Sequence, residues 1–164
     1  MPAIQVSVQR FSVVSRIPFE SVVAKFGAEI GHPDMNAFAR DVTAAKTHAE
    51  LELVIHKAIG ASGLMEFTRF NMGEILRKEG GAETPRILRL VIGNPLIMKE
   101  MAKHVPDAGS YAPVTILVYE RPDGMHLAYD RMAGLLAPYG NPDALAVARD
   151  LDSKIEGLLR ESAA

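Results

Sequence analysis

The sequence predicts an α+β fold, a two-layer domain in which a mostly antiparallel sheet of about five strands is covered by helices on one face. Three features predict it. Residues 113–130 read as strand, turn and strand, with Pro122-Asp123-Gly124 supplying the turn. Segments of helical period alternate with segments of strand period along the chain. The chain closes with an amphipathic helix that carries Leu145, Ala148, Leu151, Ile155, Leu158 and Leu159 on one stripe. With 164 residues and no tandem repeat or linker, residues 1–164 are expected to form a single domain with a real core.

The elements follow in order. Ile4, Val6 and Val8 alternate with Gln5, Ser7 and Gln9, the period of a half-buried strand. Phe11 and Val13 carry the apolar positions in the opposite phase, so a bulge is expected near Arg10. Pro18 opens a helix with Phe19, Val22, Val23, Phe26 and Ile30 on one face, which Gly31 stops. A short helical turn surrounds Phe38 and Val42. Thr47 and Glu50 have capping-box spacing ahead of a helix with Leu51, Val54, Ile55 and Ile59 as its buried stripe, closed by Gly60. Residues 63–70 read as a short strand, 72–81 as a short helix, and 86–92 as a strand apolar on both faces. A helix over 95–104 precedes the hairpin. The final helix places Asp150–Lys154 and Glu156–Arg160 at i, i+4 on its outer face.

Composition narrows the function classes. A net charge of −2 lacks the basic stripe that a grip on nucleic acid or anionic lipid needs, and 6% aromatics without Trp offer no base-stacking platform. No nucleic-acid partner is expected. Zero cysteines exclude disulfides, thiolate catalysis and Cys-ligated metal. The start of the chain lacks a charged n-region and a continuous apolar h-region. No apolar run approaches the roughly 18 residues of a membrane span. A cytoplasmic protein without a membrane partner is the expectation.

Gly-Asn-Pro occurs twice, at 93–95 and 140–142, each time before a helix. Asn accepts hydrogen bonds from the first free amides, a contribution of about 1 kcal/mol, and Pro at the first helical position gives up no needed donor. Capping accounts for every letter. The same free amides attract anions, but Pro removes one of them and no Gly-Lys-Ser/Thr follows, so a nucleotide P-loop is excluded.

Other polar groups are candidates for a site. His48, Glu52 and His56 share one edge of a helix and form a plausible divalent-metal set. Eight residues span about 12 Å, too far for one ion to touch both ends, so only an adjacent pair could ligate. A solvated helix flank is the simpler account of them. Glu66, Arg69, Asn71 and Glu74 lie on a short strand and the turn after it, where they line a cleft mouth or simply solvate a strand end. Tyr111 precedes Ala112-Pro113, and Tyr129-Asp130 ends the last strand. Tyr with Asp can position a ligand or do acid–base chemistry; the alternative is a hydroxyl satisfied at a sheet edge. No Gly-x-Ser-x-Gly supports a covalent hydrolase.

Residues 92–130 (IGNPLIMKEMAKHVPDAGSYAPVTILVYERPDGMHLAYD) followed by 135–159 (LLAPYGNPDALAVARDLDSKIEGLL) resemble the family catalogued as domain of unknown function 302. The resemblance covers about residues 86–160, with a looser fit over 4–30, and makes residues 31–60 a helical insertion relative to the short family form. It implies a compact domain with an antiparallel sheet, often associated as a homodimer. It supplies no agreed catalytic residues. The recurring positions are Asn94, Pro95, Pro113, Tyr119, Asp123, Gly124, Tyr129 and Asp130.

The expected function is therefore a homodimeric binding module for a small molecule or ion, without catalysis and without an organic cofactor. The site draws on Glu66, Arg69, Asn71, Asn94, Tyr111, Tyr129 and Asp130. The alternative is an enzyme that uses Tyr129 and Asp130, or a divalent metal held by part of the His48/Glu52/His56 edge. Self-association is expected because 86–92 and 114–119 carry large apolar groups on both faces, and helices cover only one. The competing account folds residues 31–60 over that face within one chain.

Overall fold

A computed structural model describes residues 2–164. Within them, five strands form one sheet: β1 (Arg10–Ser15), β2 (Met65–Asn71), β3 (Ile87–Gly93), β4 (Val114–Arg121) and β5 (Gly124–Asp130), in the spatial order β1-β5-β4-β3-β2 with every neighbouring pair antiparallel. Among the described residues, seven α-helices pack around it: α1 (Phe19–Glu29), α2 (Met35–Ala44), α3 (His48–Ala58), α4 (Met72–Gly80), α5 (Pro95–Ala102), α6 (Met132–Leu136) and α7 (Pro142–Ala163). The fold is α+β, as the sequence predicts. Sequence reading misses α6 and the 3-10 turns at Pro106–Ser110 and Ala137–Tyr139, all shorter than two helical turns and without a readable period. Among the described residues, no helix is long and apolar enough to cross a membrane.

Period-two alternation sorts the sheet into two faces. Leu88, Leu90 and Ile92 of β3, Val114, Ile116 and Val118 of β4, and Met125, Leu127 and Tyr129 of β5 are all buried, joined by Val22 and Phe26 of α1, Met101 of α5 and the stripe of α7. The opposite face presents Val14, Arg89, Leu117, Tyr119, His126, Ala128 and Asp130, in the register Leu117↔Ala128 and Tyr119↔His126. Residues 31–60 do not cover this second face. The helices α2 and α3 bury Phe38, Ile55 and Ala58 with Met65, Phe67 and Leu96 in a separate cluster. Backbone fixes that position: Gly31 N and Gly60 N both donate to Leu64 O, at 2.8 and 2.9 Å, and a Cβ on Gly31 would lie 1.8 Å from Ala58 O.

Four local expectations differ from the structure. Residues 4–8 alternate like a strand but form none, and no bulge interrupts β1 at Arg10, because β1 begins there. Its partner β5 ends opposite, at Asp130, leaving one further bond from Arg131 N to Gln9 O; an isolated strand has nothing to pair with. Ile4 and Val8 stay exposed. On α7, Glu156 is buried rather than outward-facing, accepting from Arg131 Nε at 2.6 Å as well as from Arg160 at 3.2 Å. Lys154 donates to Ser62 O at 2.7 Å instead of pairing with Asp150.

Two features shape the surface. The helix α4 is turned inside out: Gly73 abuts the backbone of Arg86 and Ile87, while Ile75 is 73% and Leu76 46% exposed. Buried Asp152 of α7 accepts from Tyr129 Oη at 2.7 Å, from Met132 N at 2.7 Å and from Ala133 N at 3.0 Å. One carboxylate thus caps α6 and ties it to β5 and α7. Asp152→Ala strands a buried hydroxyl and two helix-start amides, and is expected to cost roughly 3 kcal/mol in urea denaturation. A loss near zero would contradict this role.

Candidate functional site

On the open face of the sheet, a depression of about 270 Å³ forms where side-chain size falls away. Register places Ala128 between Ser12 and Leu117, so a methyl group stands where neighbouring rows carry longer side chains. Thr115 and Leu117 of β4 complete the floor. Tyr111, at the end of a 3-10 turn, forms one wall, and Met132 and Leu135 of α6 form another. Arg10 and Asp130, paired in the β1–β5 ladder, close the third side.

The polar groups of this cavity are arranged in couples. Arg10 donates from Nε and Nη2 to the two Asp130 oxygens at 2.7 and 2.9 Å, a bidentate pair on which both side chains remain partly exposed. Thr115 Oγ1 accepts from Arg89 at 3.2 and 3.4 Å. The Tyr111 and Tyr139 hydroxyls share a hydrogen bond of 3.2 Å. That bond, desolvation and the Asp107 charge push Tyr139 up to about 12. Guanidinium, carboxylate and phenol thus border one apolar floor, which suits a small ligand with both donor and acceptor groups.

Of the seven residues expected to build a ligand site, the structure brings two together here, Tyr111 and Asp130. Tyr129 does not join them. Although adjacent to Asp130 in sequence, it points to the opposite face of the strand, is 1% exposed and bonds to Asp152. The expected Tyr129–Asp130 couple is therefore not formed, and burial with the Asp152 bond pushes the Tyr129 hydroxyl pKa well above its ordinary value. Glu66 takes Arg69 in a bidentate pair at 2.6 and 2.7 Å, with His32 Nδ1 at 3.5 Å. Asn71 caps α4 through Glu74 N at 3.1 Å. Asn94 caps α5 through Leu96 N at 2.8 Å and donates to Gly63 O at 2.9 Å. Asn141 caps α7 in the same way, so both Gly-Asn-Pro sequences act as helix starts.

His48 Nδ1 lies 3.7 Å from Glu52 Oε2 on the exposed flank of α3. Among the described residues, no three His, Asp or Glu side chains gather in a way that could hold a metal ion. Sequence reading passes over Arg10, Thr115, Leu117, Ala128, Met132 and Leu135. Only the pairing of β1 with β5 and the position of α6 bring these residues together, and neither leaves a local signal.

The profile of the family described as "Domain of unknown function DUF302" matches residues 38–162. A crystal structure of an uncharacterized conserved DUF302 protein from Bacillus stearothermophilus is similar in fold. Its TM-score is 0.65 at 12% identity, over 93% of this chain and 97% of that one. Among proteins with curated functions, none matches this chain.

Phenolate absorbance near 295 nm should show Tyr129 and Tyr139 ionising above the usual tyrosine range. A group whose folded pKa is raised contributes stability that is complete below its unfolded value, about 10, and is lost as pH rises through the folded value. Alkaline unfolding above pH ~10 should therefore be delayed in Tyr129→Phe relative to its own neutral-pH stability. Ionisation of Tyr129 and Tyr139 at the ordinary tyrosine value in the folded protein would contradict the arrangement.

Proposed function

We propose, from the premise that the chain belongs to the DUF302 family, that the protein is a homodimeric module that binds a small polar molecule in the open-face cavity without transforming it. The observation that carries this reading is the convergence of Arg10, Tyr111 and Asp130 around an apolar floor of Leu117 and Ala128. Chemistry supports binding over turnover. The Asp130 carboxylate is engaged by Arg10, the Thr115 hydroxyl by Arg89 and the Tyr111 hydroxyl by Tyr139, so each group is held for recognition and none is poised beside a free base. A ligand that exchanges with these couples gains donors and acceptors already fixed in place.

The dimer reading rests on the same face. Val14, Phe70, Leu117 and Tyr119 lie on it, and α4 adds Ile75 and Leu76 beside its edge. Apolar groups concentrated in this way mark an interface, and a twofold copy is the commonest cover. The cavity opens on that face, so ligand and partner share one surface.

Two measurements test this. A metabolite screen by thermal shift should yield a ligand that raises the melting temperature, with stabilisation of about 2.7 kcal/mol at a hundredfold excess over Kd. Asp130→Ala should weaken that ligand at least tenfold, yet alter ligand-free stability by at most about 1 kcal/mol, the usual size of a solvent-exposed ion pair. A ligand indifferent to Asp130→Ala and Thr115→Val would move the site elsewhere. Sedimentation at micromolar concentration should show a dimer that Leu117→Lys splits. A 17.8 kDa monomer unchanged by concentration would remove the dimer from the reading.

A further inference from the structure

A second cavity, of about 100 Å³, lies on the helical side of the sheet, between Phe67 of β2, Ile97, Met98 and Met101 of α5, Pro113, and Leu151 of α7. Its character is opposite to that of the open-face cavity. No ionisable side chain lines it. The one polar side chain at its rim, Asn94, is engaged at both ends, its oxygen accepting from Leu96 N and its nitrogen donating to Gly63 O. Among the described residues, no buried side-chain polar atom lacks a hydrogen-bond partner. The cavity therefore offers nothing to replace the hydration of a polar group.

The walls explain why this space stays open. Pro95 and Pro113 are rigid rings. Gly93 contributes no side chain: a Cβ there would stand 3.3 Å from Pro113 Cβ and 3.6 Å from Phe67 Cε2, between the two walls. Met98 and Met101 are unbranched and polarisable, able to follow the outline of a guest and to make sulfur–aromatic contacts. Ile97 and Met98 are half-buried, so the space reaches the surface beside α5.

We infer that this cavity is a binding site for a small, uncharged apolar molecule, of the size of a single six-membered ring. Volume sets the upper limit, since a cavity of about 150 Å³ lined by aliphatic and aromatic side chains stays dry and takes benzene. Chemistry sets the class, because burying a charged or hydrogen-bonding group here without a partner costs several kcal/mol. The assignment does not rest on the function proposed for the open-face cavity or on self-association.

Benzene is the test ligand, titrated into the whole protein carrying 13C-methyl methionine. The Met98 and Met101 methyl resonances should shift and saturate, while Met72, on the exposed α4, stays unmoved. Gly93→Ala places a methyl between Pro113 and Phe67, and Ile97→Phe fills the space from α5; each should weaken binding at least tenfold. Shifts that do not saturate, shifts of equal size at Met72, or an affinity unchanged in a folded filling variant would overturn the assignment. Should neither variant fold, the wild-type titration decides alone.

Discussion

One carboxylate holds the architecture of the site together. Asp152 sits in the core, stabilised by a phenol and two backbone amides, with the Arg131 charge near enough to interact with it. The donors come from two places in the chain, the last strand and the start of α6, and α7 supplies the accepting carboxylate. The helix α6 spans only five residues, too short to persist on its own propensity. Its place is fixed by that clamp, and buried Met132 with half-buried Leu135 then forms a wall of the open-face cavity. The strict alternation of β5 makes this possible. Tyr129 reaches inward to the clamp and Asp130 outward to the cavity, so consecutive residues serve the scaffold and the site.

Much of the fold could be read from sequence because its signals are local. Thr47 accepts from Glu50 N at 3.2 Å, Asn94 and Asn141 cap the helices they precede, and the alternation of 114–118 sorts buried from half-buried residues as written. The failures share a cause. Ile4, Val6 and Val8 carry a strand's pattern, but a strand is made by a neighbour, and β5 ends before reaching them. Glu156 has the spacing of a solvated helix pair, yet Arg131, from a distant turn, draws it inward.

The site was less legible for the same reason. Tyr111 and Asp130 stand out as residue types, but their companions Arg10, Thr115 and Ala128 look ordinary until the register is known. Adjacency also misled: Tyr129 and Asp130 suggest a couple on paper, and a strand turns them apart. Glu66 and Arg69 did come together, three residues apart, though with each other and with His32.

The segment from Tyr111 to Thr115 stands between the two cavities. Tyr111 and Thr115 border the polar one, Ala112 and Pro113 the apolar one, and Val114 touches both. A partition of this kind makes the two volumes communicating variables. An occupant that displaces it on one side alters the shape available on the other. Thermodynamic reciprocity then requires that whatever factor the first guest imposes on the second, the second returns in full to the first.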